Sequence, residues 1–308
     1  MLSRIAESLF WIGRYVERAD GTARILDVHL ERLNQMPLAQ QRETSKQLLG
    51  VMGSRPESDD IDLSDLLQAL AYDRSSATSI AGALGAAREN ARRARETVSS
   101  SVWESLNTTW YGLTQHRKDV VGTYRFCHWV VERTAMVRGL SDTTMSHDES
   151  WQFLVLGRSL ERADMTARML TTHDVHAAGL SWVNMLRCAG AYESFLRTRR
   201  ASFGDQQAAE FLLLDRLFPR SIVYALSDAE KCLTQLNPAY QRVGFINDAS
   251  RIVGQARTFL EFHQTQDLMS ELPEHMERVQ KACARASDAV SRTYFSQADE
   301  LSWVGEVS

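Results

Sequence analysis

The sequence predicts an all-α fold, a bundle-like packing of about ten helices. Three observations carry this. Only five prolines occur in 308 residues, so long stretches can stay helical. Apolar residues recur at helical spacing in segment after segment, without the sustained alternation of a sheet protein. One amphipathic stretch occurs twice: residues 13–26 read GRYVERADGTARIL and residues 157–170 read GRSLERADMTARML, identical at ten of fourteen positions with a constant offset of 144 residues. That offset is far too long for a solenoid. It predicts a single helical domain over 1–308, with related halves about 1–145 and 146–308.

The repeated stretch reads as a helix because winding it at about 100° per residue separates residue types by face. Ile12, Val16, Ala19, Ala23 and Leu26 fall on an apolar side with Trp11 and Tyr15. Gly13, Glu17, Asp20 and Arg24 fall on a stripe about 60° wide, since steps of three and four residues return to one face. Arg14 and Arg18 flank the stripe. The second copy repeats it with Gly157, Glu161, Asp164 and Arg168, flanked by Arg158 and Arg162. Acid and base alternate a turn apart, which predicts Asp20–Arg24 and Arg14–Arg18–Glu17 contacts. Between copies Tyr15 becomes Ser159, Val16 becomes Leu160 and Gly21 becomes Met165, while the charged positions match. Such a stripe points to a fixed partner: the other half, a ligand or another protein.

In chain order, the first helix begins near Ser3 as its cap and runs to about Arg32, with Pro37 just beyond. Residues 38–49 form a further helix, and GVMGSRPESDDID at 50–62 is a loop rich in glycine and acid. LSDLLQALAYD is a short helical stretch. Residues 79–97 form a helix with a basic side, where Arg88, Arg92 and Arg95 share a face and Glu89 and Glu96 pair with arginines a turn away. Ser101-x-x-Glu104 reads as a capping box for the next helix, and residues 119–140 give another with Trp129 and Glu132-Arg133. Ser146-x-x-Glu149 is a second capping box, opening the helix that carries the second repeat to about His173. Residues 178–200, 206–217, 220–236, 244–263 and 273–295 read as amphipathic helices, with breaks at Gly204, Pro219, Asn237-Pro238, Gly244 and Pro273.

Composition excludes several classes. Apolar content of 44% and charged content of 24% suit a globular domain. A net charge of −4 argues against bulk nucleic-acid affinity. The four cysteines (Cys127, Cys188, Cys232, Cys283) are widely spaced, which fits a reducing compartment rather than a disulfide framework or a zinc knuckle. The N-terminus lacks signal-peptide character, and no run of about 18 apolar residues could span a membrane. A cytoplasmic location is expected.

Catalytic motifs are few. The Glu-x-x-His pairs of di-iron bundles and H-E-x-x-H are missing, and His173-x-x-His176 lacks a clear carboxylate partner, so no metal is expected. Neither G-x-S-x-G nor a phosphate-cradling glycine loop occurs, so no cofactor is expected. Trp11, Trp103, Trp110, Trp129 and Trp151 sit among apolar residues as core. What remains is a constellation of Glu17, Asp20, Arg24, Glu161, Asp164 and Arg168, with Arg14, Arg18, Arg158, Arg162, Arg88, Arg92 and Arg220. If the two copies face each other, they line one polar channel. Arginines there fork onto carboxylates or phosphates, and Glu17 and Glu161 could act as bases, which suits an amino acid or peptide end. The same residues could instead neutralise one another and clamp the halves together.

The residues also resemble a family. LSRIAESLFWIGRYVERADGTARIL at the N-terminus looks like the opening of the bacterial alpha-E domain family. ARENARRARETVSSSVWESLN, WQFLVLGRSLERADMTARML and FPRSIVYAL are similar to its later hallmarks, in order and over nearly the whole chain. The resemblance implies a wholly helical fold named for its glutamate-bearing helices. It also implies gene neighbours that encode circularly permuted ATP-grasp ligases and transglutaminase-like peptidases, hence a role in forming or processing amide bonds. It carries weight onto Glu17, Arg18, Asp20 and Arg24, onto Arg88, Glu89 and Asn90, and onto Trp103, Glu104 and Asn107. In the second half it marks Glu161, Arg162, Asp164, Arg168, Phe218, Pro219 and Arg220.

Three functions stay open on this reading. The chain could be a partner of an ATP-grasp-type ligase, holding or presenting a peptide or amine substrate. It could be a helical scaffold whose repeated charges only hold it together. It could be an acyl- or amine-transfer enzyme with a glutamate base.

Overall fold

The computed structural model describes residues 1–54, 61–172, 181–198, 204–237 and 247–295. Among them are fourteen α-helices and no strand. In order these are α1 (Ser3–Leu33), α2 (Leu38–Val51), α3 (Leu63–Leu67), α4 (Ile80–Arg93), α5 (Ser100–Gly112), α6 (Val120–Thr144) and α7 (Glu149–Thr171). Then come α8 (Trp182–Cys188), α9 (Tyr192–Thr198), α10 (Asp205–Leu214), α11 (Ile222–Leu236), α12 (Asp248–Phe262), α13 (Thr265–Ser270) and α14 (Leu272–Val290).

The all-α class stands, but fourteen helices replace the expected ten. Residues 178–200 were expected as one helix; the described part is two, α8 and α9, because Gly190 adopts a left-handed φ of 61° that ends α8 and turns the chain. Residues 63–72 divide into α3 and a π turn over Gln68–Tyr72, and α13 is a further short helix. Three caps also differ. Leu2, without a side-chain cap, precedes α1 in place of Ser3. Ser99 caps α5 by accepting from Val102 N, in place of Ser101. Asp148 caps α7 by accepting from Ser150 N and Trp151 N, in place of Ser146. In each case the residue at the turn lies one or two positions before or after the serine that the sequence offers. His173, His176, Pro238 and Gly244 lie outside the described residues.

Two four-helix groups share one seam. α1 packs against α4 and α6, and α5 packs across both. α7 packs against α11 and α14, and α12 packs across both. The seam is α1 against α7. A Cβ on Gly13 would sit 2.0 Å from the carbonyl oxygen of Leu154, and a Cβ on Gly157 would sit 2.0 Å from that of Phe10. Only glycine permits backbones to approach this closely. Farther along, Gly21 meets Met165, its own counterpart in the repeat. Because like-numbered positions meet along the whole stretch, α1 and α7 run parallel, related by a local pseudo-two-fold axis. One continuous apolar core, including Phe10, Leu26, Leu30, Phe126 and Leu160, surrounds the seam.

Candidate functional site

The charged stripes of α1 and α7 do not face solvent. Glu17 is 1% exposed, and Asp20 and Glu161 are 0% exposed. Close packing at the glycines brings each glutamate within reach of the opposite helix. Arg162 forks onto Glu17, with Nε to Oε1 at 2.9 Å and Nη2 to Oε2 at 2.8 Å. Arg18 forks onto Glu161, with Nε to Oε1 at 2.5 Å and Nη2 to Oε2 at 3.0 Å. The glutamate of one copy is therefore held by the arginine that follows the glutamate of the other. The predicted Arg14–Arg18–Glu17 contacts within α1 do not form, because both arginines turn across the seam to Glu161. The Asp20–Arg24 and Asp164–Arg168 contacts do form, at 2.9 and 2.7 Å.

Symmetry extends to the arginine tips. Arg18 Nη1 donates to Ala77 O and Arg162 Nη1 donates to Pro219 O, both at 3.5 Å. Those carbonyls belong to matching turns before α4 and α11, each capped by a serine, Ser79 and Ser221. Arg168 crosses to donate to Val51 O at the end of α2, 2.8 Å away. Arg24 lies against Gly190 at the end of α8.

Around this common frame the two centres differ. At the first, α6 and the turn before α11 supply two more arginines. Arg220 donates to Glu17 Oε1 at 2.8 Å and to Asp20 Oδ2 at 2.5 Å. Arg138 donates to Asp20 Oδ1 at 3.3 Å and to Glu17 Oε2 at 3.5 Å, and Thr134 donates to Asp20 Oδ1 at 2.7 Å. Burial by itself would raise both carboxyls, yet the arginines hold Glu17 and Asp20 well below the usual carboxylate range. Burial holds Arg220 below its ordinary value, outweighing its two carboxylate partners. At the second centre Arg14 lies 2.6 Å from Glu161 Oε2 as an ion pair, and its Nη1 has no hydrogen-bond partner. Burial works against Glu161 too, but Arg14 and Arg18 keep it low. Asp164 takes a hydrogen bond from Arg168 alone among the described residues, and burial, with Glu161 beside it, pushes its carboxyl up.

Among the described residues the two facing stripes pair with each other rather than lining an open channel. Glu17 borders a void of about 10 Å³ between α1, α6 and α7, lined also by Gly13, Arg138, Ser141 and Arg158, room for about one water. Three predicted site arginines lie outside the two centres. Arg158 pairs with Asp142 at 3.2 Å. Arg92 is exposed and pairs with Glu89 at 2.8 Å. Arg88 donates to Asn107 Oδ1 at 2.8 Å and lies beside Trp103 on the far side of α4. Each was grouped with the centre by charge; helix direction separates them. Thr134 and Arg138 were missed, since nothing in the sequence of α6 marks them. All four cysteines are free and buried, and burial pushes each thiol up, away from nucleophilic use. No group of three or more metal-ligating side chains occurs among the described residues, and no helix among them is long and apolar enough to cross a membrane.

Uncharacterized proteins of Mycobacterium bovis and of two Mycobacterium tuberculosis strains are 25% identical over 258 residues, covering 72% of this chain. The chain spans 28% of the length of those relatives. No solved structure matches it. A family model described as a predicted alpha-helical domain with a conserved ER motif matches residues 1–295. With Glu17-Arg18 and Glu161-Arg162 interlocked at its centre, the chain belongs to the Alpha-E family.

Proposed function

We propose that this chain is a non-catalytic helical partner of an ATP-grasp-type ligase in amide-bond formation, with its charged centre acting as the clamp that fixes the two helix groups. Reciprocal pairing at the seam carries this reading. A general base needs a free lone pair and a pKa near working pH. Glu17 and Glu161 are poorly suited to that role: each accepts a forked pair of hydrogen bonds from an arginine and is held low by the charges around it. Among the described residues, open grooves lie on outer surfaces, including one of about 580 Å³ between α1 and α4 and one of about 620 Å³ between α12 and α14. Both suit docking. The ligase itself is suggested by the resemblance, through the neighbours of the family's genes. The mycobacterial relatives, which carry the matching region within a much longer polypeptide, fit a module that works beside other domains.

Co-purification with an ATP-grasp-type ligase of the same organism, together with ligase turnover with and without this chain, tests the partner role. Complex formation and faster turnover are expected; no association and no change in turnover reject it. Glu17→Gln and Glu161→Gln test the clamp. Each strands buried arginines and is expected to cost about 3–5 kcal/mol, read as a lowered melting temperature. Unchanged melting temperatures together with lost turnover would favour a catalytic glutamate instead.

A further inference from the structure

Outside the seam, the arginine and aromatic residues of α4 and α5 form a second arrangement that the clamp does not use. Trp103, Asn107 and Tyr111 are spaced four residues apart, so they stand in a row along one face of α5. Arg88 of α4 lies between the two rings, its guanidinium carbon 5.7 Å from the Trp103 centroid and 5.7 Å from that of Tyr111. Asn107, between the rings, accepts from Arg88 Nε at 2.8 Å. Arg95 covers Trp103 at 5.9 Å, so cation and ring alternate along the row.

The consequence lies in what Arg88 has left over. Its two terminal nitrogens make no hydrogen bond or ion pair among the described residues. The neighbouring arginines are engaged: Arg92 and Arg93 both pair with Glu89. Arg88 is thus a guanidinium fixed in plane by its Nε bond and held by rings, with its outer fork uncommitted. Tyr111, at 63% exposure, is among the most exposed large side chains of the molecule.

We propose that Arg88 is a recognition point for a lone carboxylate carried by a peptide segment of a protein partner. A forked Nη pair matches a carboxylate in bidentate geometry, and a pre-oriented fork loses little freedom on binding. The local charge selects a single negative group. This stretch of α4 and α5 carries Arg88, Arg92, Arg93 and Arg95 against Glu89, Glu96 and Glu104, a surplus of one positive charge. A polyanion would meet the three glutamates. Nucleic-acid bases would find Trp103 already covered by Arg88 and Arg95. The assignment does not depend on the partner being a ligase.

An end-capped alanine-rich hexapeptide with one glutamate, titrated into the full chain, tests it, with the Trp103 indole N–H followed by NMR and identified through Trp103→Phe. A saturable shift of that signal is expected. Arg88→Lys keeps the charge but loses the fork, and is expected to weaken binding about tenfold. Tyr111→Leu, at an exposed position that cannot threaten the fold, is expected to weaken it about threefold by loosening the rings around Arg88. The proposal is overturned if wild type gives no shift at millimolar peptide, or if Arg88→Lys binds within about twofold of wild type, since charge alone would then suffice. It is also overturned if inorganic phosphate or an oligothymidine saturates the same signal at lower concentration than the peptide.

Discussion

Glu17-Arg18-Ala19-Asp20 and Glu161-Arg162-Ala163-Asp164 have the same sequence and the same backbone, yet they are two different electrostatic environments. At the first, two carboxylates face four arginines, Arg24, Arg138, Arg162 and Arg220. At the second, two carboxylates face three, Arg14, Arg18 and Arg168, and Arg14 is only partly satisfied. The contrast comes from the surroundings, since α6 projects Thr134 and Arg138 toward Asp20 while Asp164 accepts from Arg168 alone among the described residues. A motif therefore sets the frame, and its neighbours set the charge.

The aspartates break the comparison most sharply. Asp20→Asn replaces an acceptor that takes bonds from Arg24, Thr134, Arg138 and Arg220 with an amide that must turn donors toward them. A loss of about 3–5 kcal/mol is expected in chemical denaturation. Asp164→Asn should cost less than about 1 kcal/mol at neutral pH, because burial already disfavours the ionised form there. Equal losses at both positions would mean that the two environments are energetically alike. The pH dependence has opposite signs for the same reason. Asp20, depressed in the folded chain, stabilises above the unfolded carboxylate range and loses that contribution as pH falls. Asp164, raised, favours folding at low pH and loses its contribution as pH rises through its folded value.

The glycines should show no such contrast. Gly13→Ala and Gly157→Ala each place a Cβ about 2.0 Å from a backbone carbonyl of the other helix, which cannot step aside as a side chain can. Each is expected to cost about 3 kcal/mol, and the two melting temperatures should agree within a few degrees. A large difference between them would show that the seam is less symmetric in energy than in geometry.

This pattern also separates what the sequence could reveal from what it could not. The all-α class, the extent of α1 and α7 and the importance of the ERAD stripe were legible, because helical periodicity and internal identity are one-dimensional signals. The cross-pairing was not. On one helix Arg14 and Arg18 sit within reach of Glu17, and only the glycine contact, which brings the opposite helix closer still, decides the competition. Arg88 and Arg92 share composition with the centre but face the other side of α4, and Arg138 sits in a helix without any repeated motif. Depth of burial separates a clamp from a channel, and depth is a property of the assembled helices.

A third measurement isolates the carboxylates from a titration that belongs to neither centre. His29 lies on α1 beyond the seam, 4% exposed, with no hydrogen-bond partner for either ring nitrogen among the described residues. Burial, with Arg32 nearby, lowers its pKa to about 4. The unfolded chain binds that proton near pH 6.5, so the imidazole's contribution is present above this value and is lost as pH falls toward 4. The loss is at most about 3 kcal/mol. Stability measured from pH 7 to 4 should decline, and His29→Leu should flatten the limb above pH 4.5, leaving the carboxylate limb below it. An unchanged upper limb would assign that decline elsewhere.

The smallest effect concerns a seam position where the copies differ. Gly21 and Met165 occupy the same place in the repeat and touch each other, a Cβ on Gly21 lying 2.8 Å from Met165 Cε. One copy thus provides a notch and the other fills it. Gly21→Met alone would bring two thioethers into the space of one, and overpacking of this kind costs about 1–3 kcal/mol. The double variant Gly21→Met with Met165→Gly moves the filler to the opposite helix. Each helix then still contains one changed glycine site, so the helix-propensity terms cancel, and the volume at the seam is conserved. If the pseudo-two-fold axis describes the packing as well as the contacts, the exchanged protein should lie within about 1 kcal/mol of wild type and well above the single variant. If the exchange fails to rescue, the notch is shaped by its own flanking helices, and even this apolar contact follows the rule seen at the aspartates: equivalent positions, unequal surroundings.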